Sequence, residues 1–276
     1  MNLRGNRQPL LMGIVNVTPD SFSDGGRYLD QGLAVAHAQV LVEEGADIID
    51  VGGESTRPGS QRVPDEEQVR RTVPVIRQLR EQLPPAVVIS IDTTCAKVAG
   101  EALAAGASLV NDISAGRDDP GMLALAAAAG VPIILMHMQG TPATMQDEPC
   151  YENVVEEIRE FLLRRVDAVL AAGIATDRII IDPGIGFGKS RQHNLELLAN
   201  LDRFTDTGFP VLLGASRKRF MGSICAEERF DELLGASCAA TVIGVMAGVR
   251  ILRVHDIKAN RQAMQVAWAV KRAGSG

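Results

Sequence analysis

Eight times between residues 10 and 252 a short apolar run gives way to a longer amphipathic stretch, and this repeat restricts the possible folds more than anything else in the chain. Strands are predicted over 10–15, 48–51, 87–91, 109–110, 132–136, 179–181, 211–213 and 251–252. Helices are predicted over 32–44, 66–82, 95–105, 122–129, 153–172, 194–201, 231–247 and 256–272. Several of these end at a glycine (Gly45, Gly106, Gly130, Gly173), the residue that takes a left-handed C-terminal turn without penalty. Strands alternating with helices build a parallel sheet, because parallel neighbours need a crossover connection. No Pro/Ser-rich linker or shift of composition divides the 276 residues. The expectation is therefore an α/β protein, a single (β/α)8 TIM-type barrel forming one domain over 1–276, in preference to an open doubly wound sheet.

A barrel of this type carries its site where strands end and loops begin. The predicted strand ends bear Asn16, Asp50 with Glu54, Asp92, Asn111, His137, Asp182, Ser216 with Lys218, and Arg253 with His255. Any one of these could cap a helix; eight converging on one mouth point to a site. Charge and composition narrow its ligands. A net charge of −6 with no long basic run argues against nucleic acid and against anionic membranes. The apolar stretch 9–15 is too short to span a bilayer and lacks a cleavage site, so a cytoplasmic protein is expected. Cys95, Cys150, Cys225 and Cys238 show no metal-binding spacing and read as reduced packing residues. His37 and His193 read as surface residues, and residues 239–249 as core in preference to a subunit contact.

Five loops carry the chemistry. The polar stretch from Asn16 to Gly26 suits a mobile lid, with Gly25-Gly26 as hinge, Phe22 to cover an aromatic ligand, and Asp20 and Asp24 to polarise a nucleophile or meet a metal. In the loop that starts at Glu54, Arg57 is a fork suited to phosphate oxygens. The segment Asp182-Pro183-Gly184-Ile185-Gly186-Phe187-Gly188-Lys189 resembles a phosphate loop but fails both the Walker and the dinucleotide spacing. It is expected instead to bring backbone close to a flat ligand, with Phe187 stacking on or walling a ring. Asp182 and Asp92 could serve acid/base chemistry, a metal, or the adjacent N–H donors of an amino-pyrimidinone edge, and Asn111 could pair with either kind of polar group. Gly214-Ala215-Ser216-Arg217-Lys218 and Arg253-Val254-His255-Asp256 follow strands seven and eight, where barrels commonly hold phosphate. Ser216 has no evident base partner in the sequence, and Asp256 is expected to cap the last helix.

Taken together, in order and over nearly the whole chain, these motifs resemble the dihydropteroate synthases. The matching stretches begin with Met12-Gly13-Ile14-Val15-Asn16-Val17-Thr18-Pro19-Asp20, Asp50-Val51-Gly52-Gly53-Glu54-Ser55-Thr56-Arg57-Pro58-Gly59 and Ser90-Ile91-Asp92-Thr93. They continue with Asn111-Asp112-Ile113, Leu135-Met136-His137-Met138, Asp182 to Lys189, Ser216-Arg217-Lys218 and Arg253-Val254-His255-Asp256. The resemblance implies a barrel that condenses 6-hydroxymethyl-7,8-dihydropterin diphosphate with 4-aminobenzoate and releases pyrophosphate, with Mg2+, a homodimer and inhibition by sulfonamides. It implies that Asp92, Asn111, Met136, Asp182 and Lys218 hold the pterin. Thr56, Arg57, Arg253 and His255 would take the diphosphate, and Asn16 the metal. Phe22, Pro58, Phe187, Ser216 and Arg219 would lie near 4-aminobenzoate, with Asp20 in the first loop beside them. Asp92, Asp182, Lys218, Arg253 and His255 form the implied catalytic set. Two other readings share the pterin pocket: a pterin-dependent methyltransferase, which should lack the Thr56-Arg57-Pro58 loop, and a catalytically silent pterin-binding paralogue.

Overall fold

The computed structural model describes residues 7–18, 27–56 and 59–274, with the side chains of 27–30 left out. Eight strands occur among these residues: β1 (Leu10–Asn16), β2 (Ile48–Gly52), β3 (Val88–Asp92), β4 (Leu109–Asp112), β5 (Ile133–Met136), β6 (Ile179–Asp182), β7 (Leu212–Leu213) and β8 (Ile251–Val254). Every pairing is parallel, in the order β6-β5-β4-β3-β2-β1-β8-β7, and a bridge from Ile181 to Val211 joins the two ends into a ring. The architecture is the expected (β/α)8 barrel. Around it lie α1 (Arg27–Glu44), α2 (Asp65–Gln82), α3 (Ala96–Ala104), α4 (Gly121–Ala129), α5 (Val154–Ala171), α6 (Arg191–Ala199), α7 (Asp202–Thr205), α8 (Arg219–Cys225), α9 (Leu234–Ala247) and α10 (Ile257–Ala273).

Local chemistry accounts for many element ends. Asp65, Glu66 and Glu67 open α2 where the helix dipole favours anions, and Arg80 lies in its last turn. Asn153 caps α5 by accepting from the Glu156 N–H, and α4 ends at Gly130 in the left-handed region. The short α7 and α8 were not foreseen in the sequence, being too brief to show a helical period. His193 is half-buried, not a surface residue, because its Nδ1 accepts the Ser190 N–H while the Ser190 hydroxyl caps α6.

Two cores follow from the alternation of side chains along each strand. Facing outward against the helices are Leu11, Ile49, Ile89, Val110, Ile133, Leu135, Ile181 and Leu252. Facing inward, Met12, Ile48, Leu109, Ile134, Ile180, Leu212 and Ile251 form a separate apolar layer across the barrel. Two residues further along the same strands, the inward positions are Asp50, Asn111, Met136, Asp182 and Arg253. The apolar layer thus closes the barrel from below, and a polar layer rests on it toward the C-terminal ends.

The outer surface departs from expectation at α9. Residues 239–249 are not all core, since Val242, Ile243 and Met246 are exposed, as are Val266 and Val270 on the adjoining α10. Helix periodicity turns one flank of α9 to the barrel, through Ala240, Thr241 and Val245, and leaves the other facing outward. The cysteines are free, but only Cys95 is buried; Cys150 and Cys225 are exposed. Among the described residues no helix is long and apolar enough to cross a membrane.

Because Ile180 is fully enclosed in the inner layer, truncating it leaves a void that the ring of strands cannot collapse around. An Ile180→Ala variant is expected to lose about 2–5 kcal/mol of unfolding free energy, measurable by urea denaturation followed by circular dichroism.

Candidate active site

At the mouth of the barrel one guanidinium joins two strands. Arg253 on β8 donates from Nε to Asp50 Oδ2 on β2 at 2.7 Å and from Nη2 to Asp92 Oδ2 on β3 at 2.8 Å. Asn111 on β4 donates to the same Asp50 oxygen at 3.0 Å. Asp50 is fully buried and the Arg253 side chain is 19% exposed. Two carboxylates facing one cation leave a negative charge in excess in a poorly solvated place. Burial first, then the carboxylates of Asp50, Asp112 and Glu54, push the Asp92 carboxyl up to about 7 against the pull of Arg253. Asn16, at the end of β1, lies on the same side: a Cβ on Gly52 would stand 3.6 Å from Asn16 Oδ1 and 3.8 Å from Asp92 Oδ2.

Opposite this group is the turn after β6. Asp182 Oδ1 accepts the Gly184 N–H at 2.7 Å, and burial raises its pKa to about 6 against that bond and the cations Lys218, Lys189 and Arg253. Lys218 places its ammonium 4.1 Å from the centre of the Phe187 ring. Its pKa is lowered to about 8 by burial and by Arg253, with Asp182 and Asp92 opposing. Phe187 and Met136 belong to a small apolar cluster with Ile113, Met138 and Met145. The C-terminal ends of the strands and the loops after them therefore bear carboxylates, cations and an apolar cluster.

The glycine turn packs closely on its neighbour. Gly184 and Gly188 meet the chain after β5: a Cβ on Gly184 would stand 2.0 Å from the His137 carbonyl oxygen, and one on Gly188 2.6 Å from that of Gln139. Both have positive φ, so each is a point of close backbone approach that no larger residue could occupy. Gly186 faces Lys218 instead.

After β7 the backbone takes an uncommon path. Arg217 has φ 56°, the left-handed region, and is held there by a bidentate pair with Asp256 at 2.6 and 3.0 Å and by an N–H bond to Ser237 Oγ. This kink separates the directions of its neighbours. Lys218 reaches Phe187, and Ser216 turns to His255, its Oγ 3.1 Å from Nδ1. Asp256 stands at the start of α10, as expected, but its side chain makes no cap because Arg217 occupies the carboxylate.

The structure thus brings together Asn16, Asp92, Asn111, Met136, Asp182, Phe187, Lys218 and Arg253, with Ser216 and His255 paired beside them. Thr56 is half-buried, and Arg219 is exposed at the start of α8. Asp20, Phe22, Arg57 and Pro58 lie outside the described residues. Sequence reasoning placed Asp50 at a strand end without a role, and gave none to Lys189, which is buried with its ammonium among His137 and Phe187. The signal for Asp50 was its fully apolar surroundings in β2; none marked Lys189 beyond its place after the glycine turn.

Comparison with known proteins agrees with this geometry. The family of pterin binding enzymes matches residues 12–255. A dihydropteroate synthase of Synechocystis is 45% identical over 269 residues, covering 96% of this chain and 91% of that protein. A Xanthomonas albilineans dihydropteroate synthase solved with 4-aminobenzoic acid superposes with a TM-score of 0.90 at 47% identity, covering 96% of this chain and 94% of that one. A structure of the Xanthomonas albilineans enzyme in complex with 7,8-dihydropteroate gives 0.87 at 43% identity, covering 97% and 95%.

Asp92 and Asp182 bind protons more tightly folded than unfolded. A folded pKa raised above the unfolded value means that Asp92 holds extra protons between about 4 and about 7, so its contribution to stability is present at the acid end and lost as pH rises through that window. Urea midpoints at pH values spanning 5 to 8 should therefore fall with rising pH in the parent protein, and fall less in Asp92→Asn.

Proposed function

The chain belongs to the pterin-binding enzyme family, and we infer that it condenses 6-hydroxymethyl-7,8-dihydropterin diphosphate with 4-aminobenzoate, releasing pyrophosphate and forming dihydropteroate for folate biosynthesis. The observation that carries this reading is the likeness over nearly the whole chain to synthases solved with 4-aminobenzoic acid and with 7,8-dihydropteroate. The enzyme is a transferase, and its own side chains suit the reaction.

In our assignment Asp182, Asn111 and Asp92 take the polar edge of the pterin, whose adjacent N–H donors a carboxylate accepts two at a time. Met136 is assigned as a contact to the pterin ring, with Lys218 completing that set. Arg253 and His255, with Thr56 and Arg57, take the diphosphate. A guanidinium has five N–H donors, and the pairs with Asp50 and Asp92 use two of them. Phe187, Ser216, Arg219, Phe22 and Pro58 are assigned to the 4-aminobenzoate end, with Asp20 in the first loop.

An aromatic amine is a modest nucleophile, so the work of the site lies in breaking the carbon–oxygen bond to diphosphate. Arg253 and His255 bind the departing anion; Asp92 and Asp182 face the positive charge that develops on the pterin methylene and spreads into the ring. The amine then adds to that carbon, loses a proton, and no bond to the protein forms.

Among the described residues there is no group of three or more acidic, histidine or cysteine side chains to cage a metal. A single oxygen donor suits Mg2+, which keeps several waters and is commonly bound through one or two protein oxygens and substrate phosphates. Asn16, whose Oδ1 shares the Gly52 surface with Asp92, fits that requirement and would hold the ion. When bound, Mg2+ would neutralise charge on the diphosphate oxygens.

A homodimer, with the exposed apolar stripe of Val242, Ile243, Met246, Val266 and Val270 as its contact, and a cytoplasmic location complete the reading. Pyrophosphate release from the pterin diphosphate with Mg2+ should require 4-aminobenzoate and fall about 100-fold or more in a folded Arg253→Ala variant; release independent of the amine, or none at all, would refute the reading. For the dimer, Val270→Glu is expected to shift sedimentation from dimer to monomer.

A further inference from the structure

Beneath the glycine turn lies a charged group that the mechanism above does not use. Lys189 is 2% exposed, and its ammonium makes three contacts: Phe187 O at 2.8 Å, His137 Nδ1 at 3.0 Å and His137 O at 3.3 Å. An ammonium has three N–H donors and no acceptor, so these three acceptors match it in number. The arrangement requires the His137 proton to sit on Nε2. His137 is buried, and burial, then Lys189 and Arg117, lower its pKa to about 2, so the ring stays neutral.

The contacts tie together two loops that each contribute to the site. His137 follows Met136 at the end of β5, while Phe187 belongs to the turn that starts at Asp182. Two further links join the same loops: the Tyr151 hydroxyl donates to Gly188 O at 2.7 Å, and the Gly184 backbone lies against the His137 carbonyl. The His137 ring is itself held, with the Phe161 ring edge-on at 4.8 Å and Tyr151 tilted at 6.0 Å. Met136 and Phe187 meet in one apolar cluster on the pocket side of this junction.

We propose that Lys189 is a positioning residue for the condensation: its buried ammonium locks the turn bearing Asp182 and Phe187 onto the loop after β5, and keeps a cation within electrostatic reach of the Asp182 carboxylate. The inference rests on the synthase reading given above. It explains why a lysine, costly to bury, stands where a packing residue would otherwise serve. The charged groups facing Asp182 are Lys189 from its own loop, Lys218 after β7 and Arg253 on β8. Those facing Lys189 are Asp182 and Lys218, with burial the main force against its charge. Asp182 accepts pterin N–H groups only as a carboxylate, so removing a neighbouring cation moves its protonation to higher pH.

The test compares Lys189→Met with Lys189→Gln by pyrophosphate release, after circular dichroism confirms folding. In Lys189→Met, kcat/KM for the pterin diphosphate is expected to fall about 10- to 100-fold. The acid limb of its pH profile should rise by about one unit. Lys189→Gln keeps two N–H donors for the carbonyls of Phe187 and His137 but no charge. It should recover part of kcat/KM while its acid limb stays displaced as in Lys189→Met, a split that a merely structural role would not produce. Unchanged kcat/KM with an unmoved acid limb in folded Lys189→Met overturns the proposal, whereas an inactive parent protein overturns the synthase reading itself. Should neither variant fold, histidine-nitrogen NMR on the parent protein decides: a proton on Nε2 of His137 and a bare Nδ1 support the ammonium clip, and a proton on Nδ1 overturns it.

Discussion

Arg253 spans the barrel mouth between Asp50 and Asp92, and the polar groups on four strands are tied together through that one half-buried guanidinium. It rises from β8, which pairs with β1, and reaches past β1 to β2 and β3. Breaking such a pair by removing one partner leaves an uncompensated buried charge, a loss that burial of apolar surface nearby does not offset. Asn111 adds a donor to Asp50 from β4, so four of the eight strands are tied by polar contacts at one level of the barrel. Because these groups stand on strands and not on loops, their separations are set by the register of the sheet.

That polar layer can exist only because an apolar one lies beneath it. Met12, Ile48, Leu109, Ile134, Ile180, Leu212 and Ile251 fill the barrel with no polar atom of their own, and the next inward residues emerge where the barrel opens. Three carboxylates, Asp50, Asp92 and Asp182, then stand with three cations, Arg253, Lys218 and Lys189, in surroundings that weaken every unpaired charge. Burial shifts the pKa values of Asp92 and Asp182 upward and those of Lys218 and Lys189 downward, each toward its neutral form. A site in this balance responds strongly to an incoming anion or cation, which suits a reaction that separates a diphosphate from a cationic ring.

The loops add a different kind of order. Gly184 and Gly188 let the turn after β6 lie directly on the chain after β5, and Lys189 and Tyr151 fasten it there. Arg217, in a left-handed conformation, sends Ser216 and Lys218 to different partners, and Asp256 and Ser237 hold it from α10 and α9. The helix that bears the outward apolar stripe is therefore also the helix that steadies the loop carrying Lys218.

Much of this was legible in the order of residues. The eightfold repeat determined the barrel, since apolar runs of strand length separated by amphipathic stretches leave a parallel sheet few alternatives. Polar residues at the strand ends marked the site, and their motifs named Asp92, Asn111, Asp182, Lys218 and Arg253. What the sequence did not determine were partnerships across the ring. Arg253 and Asp50 are 203 residues apart, Arg253 and Asp92 161, and Lys189 and His137 52. Nor did it separate the outward flank of α9 from its inward one, because both are apolar. The tertiary structure decided these: closing the sheet brings β8 beside β1, and only then does the low-dielectric interior require each buried charge to find its partner.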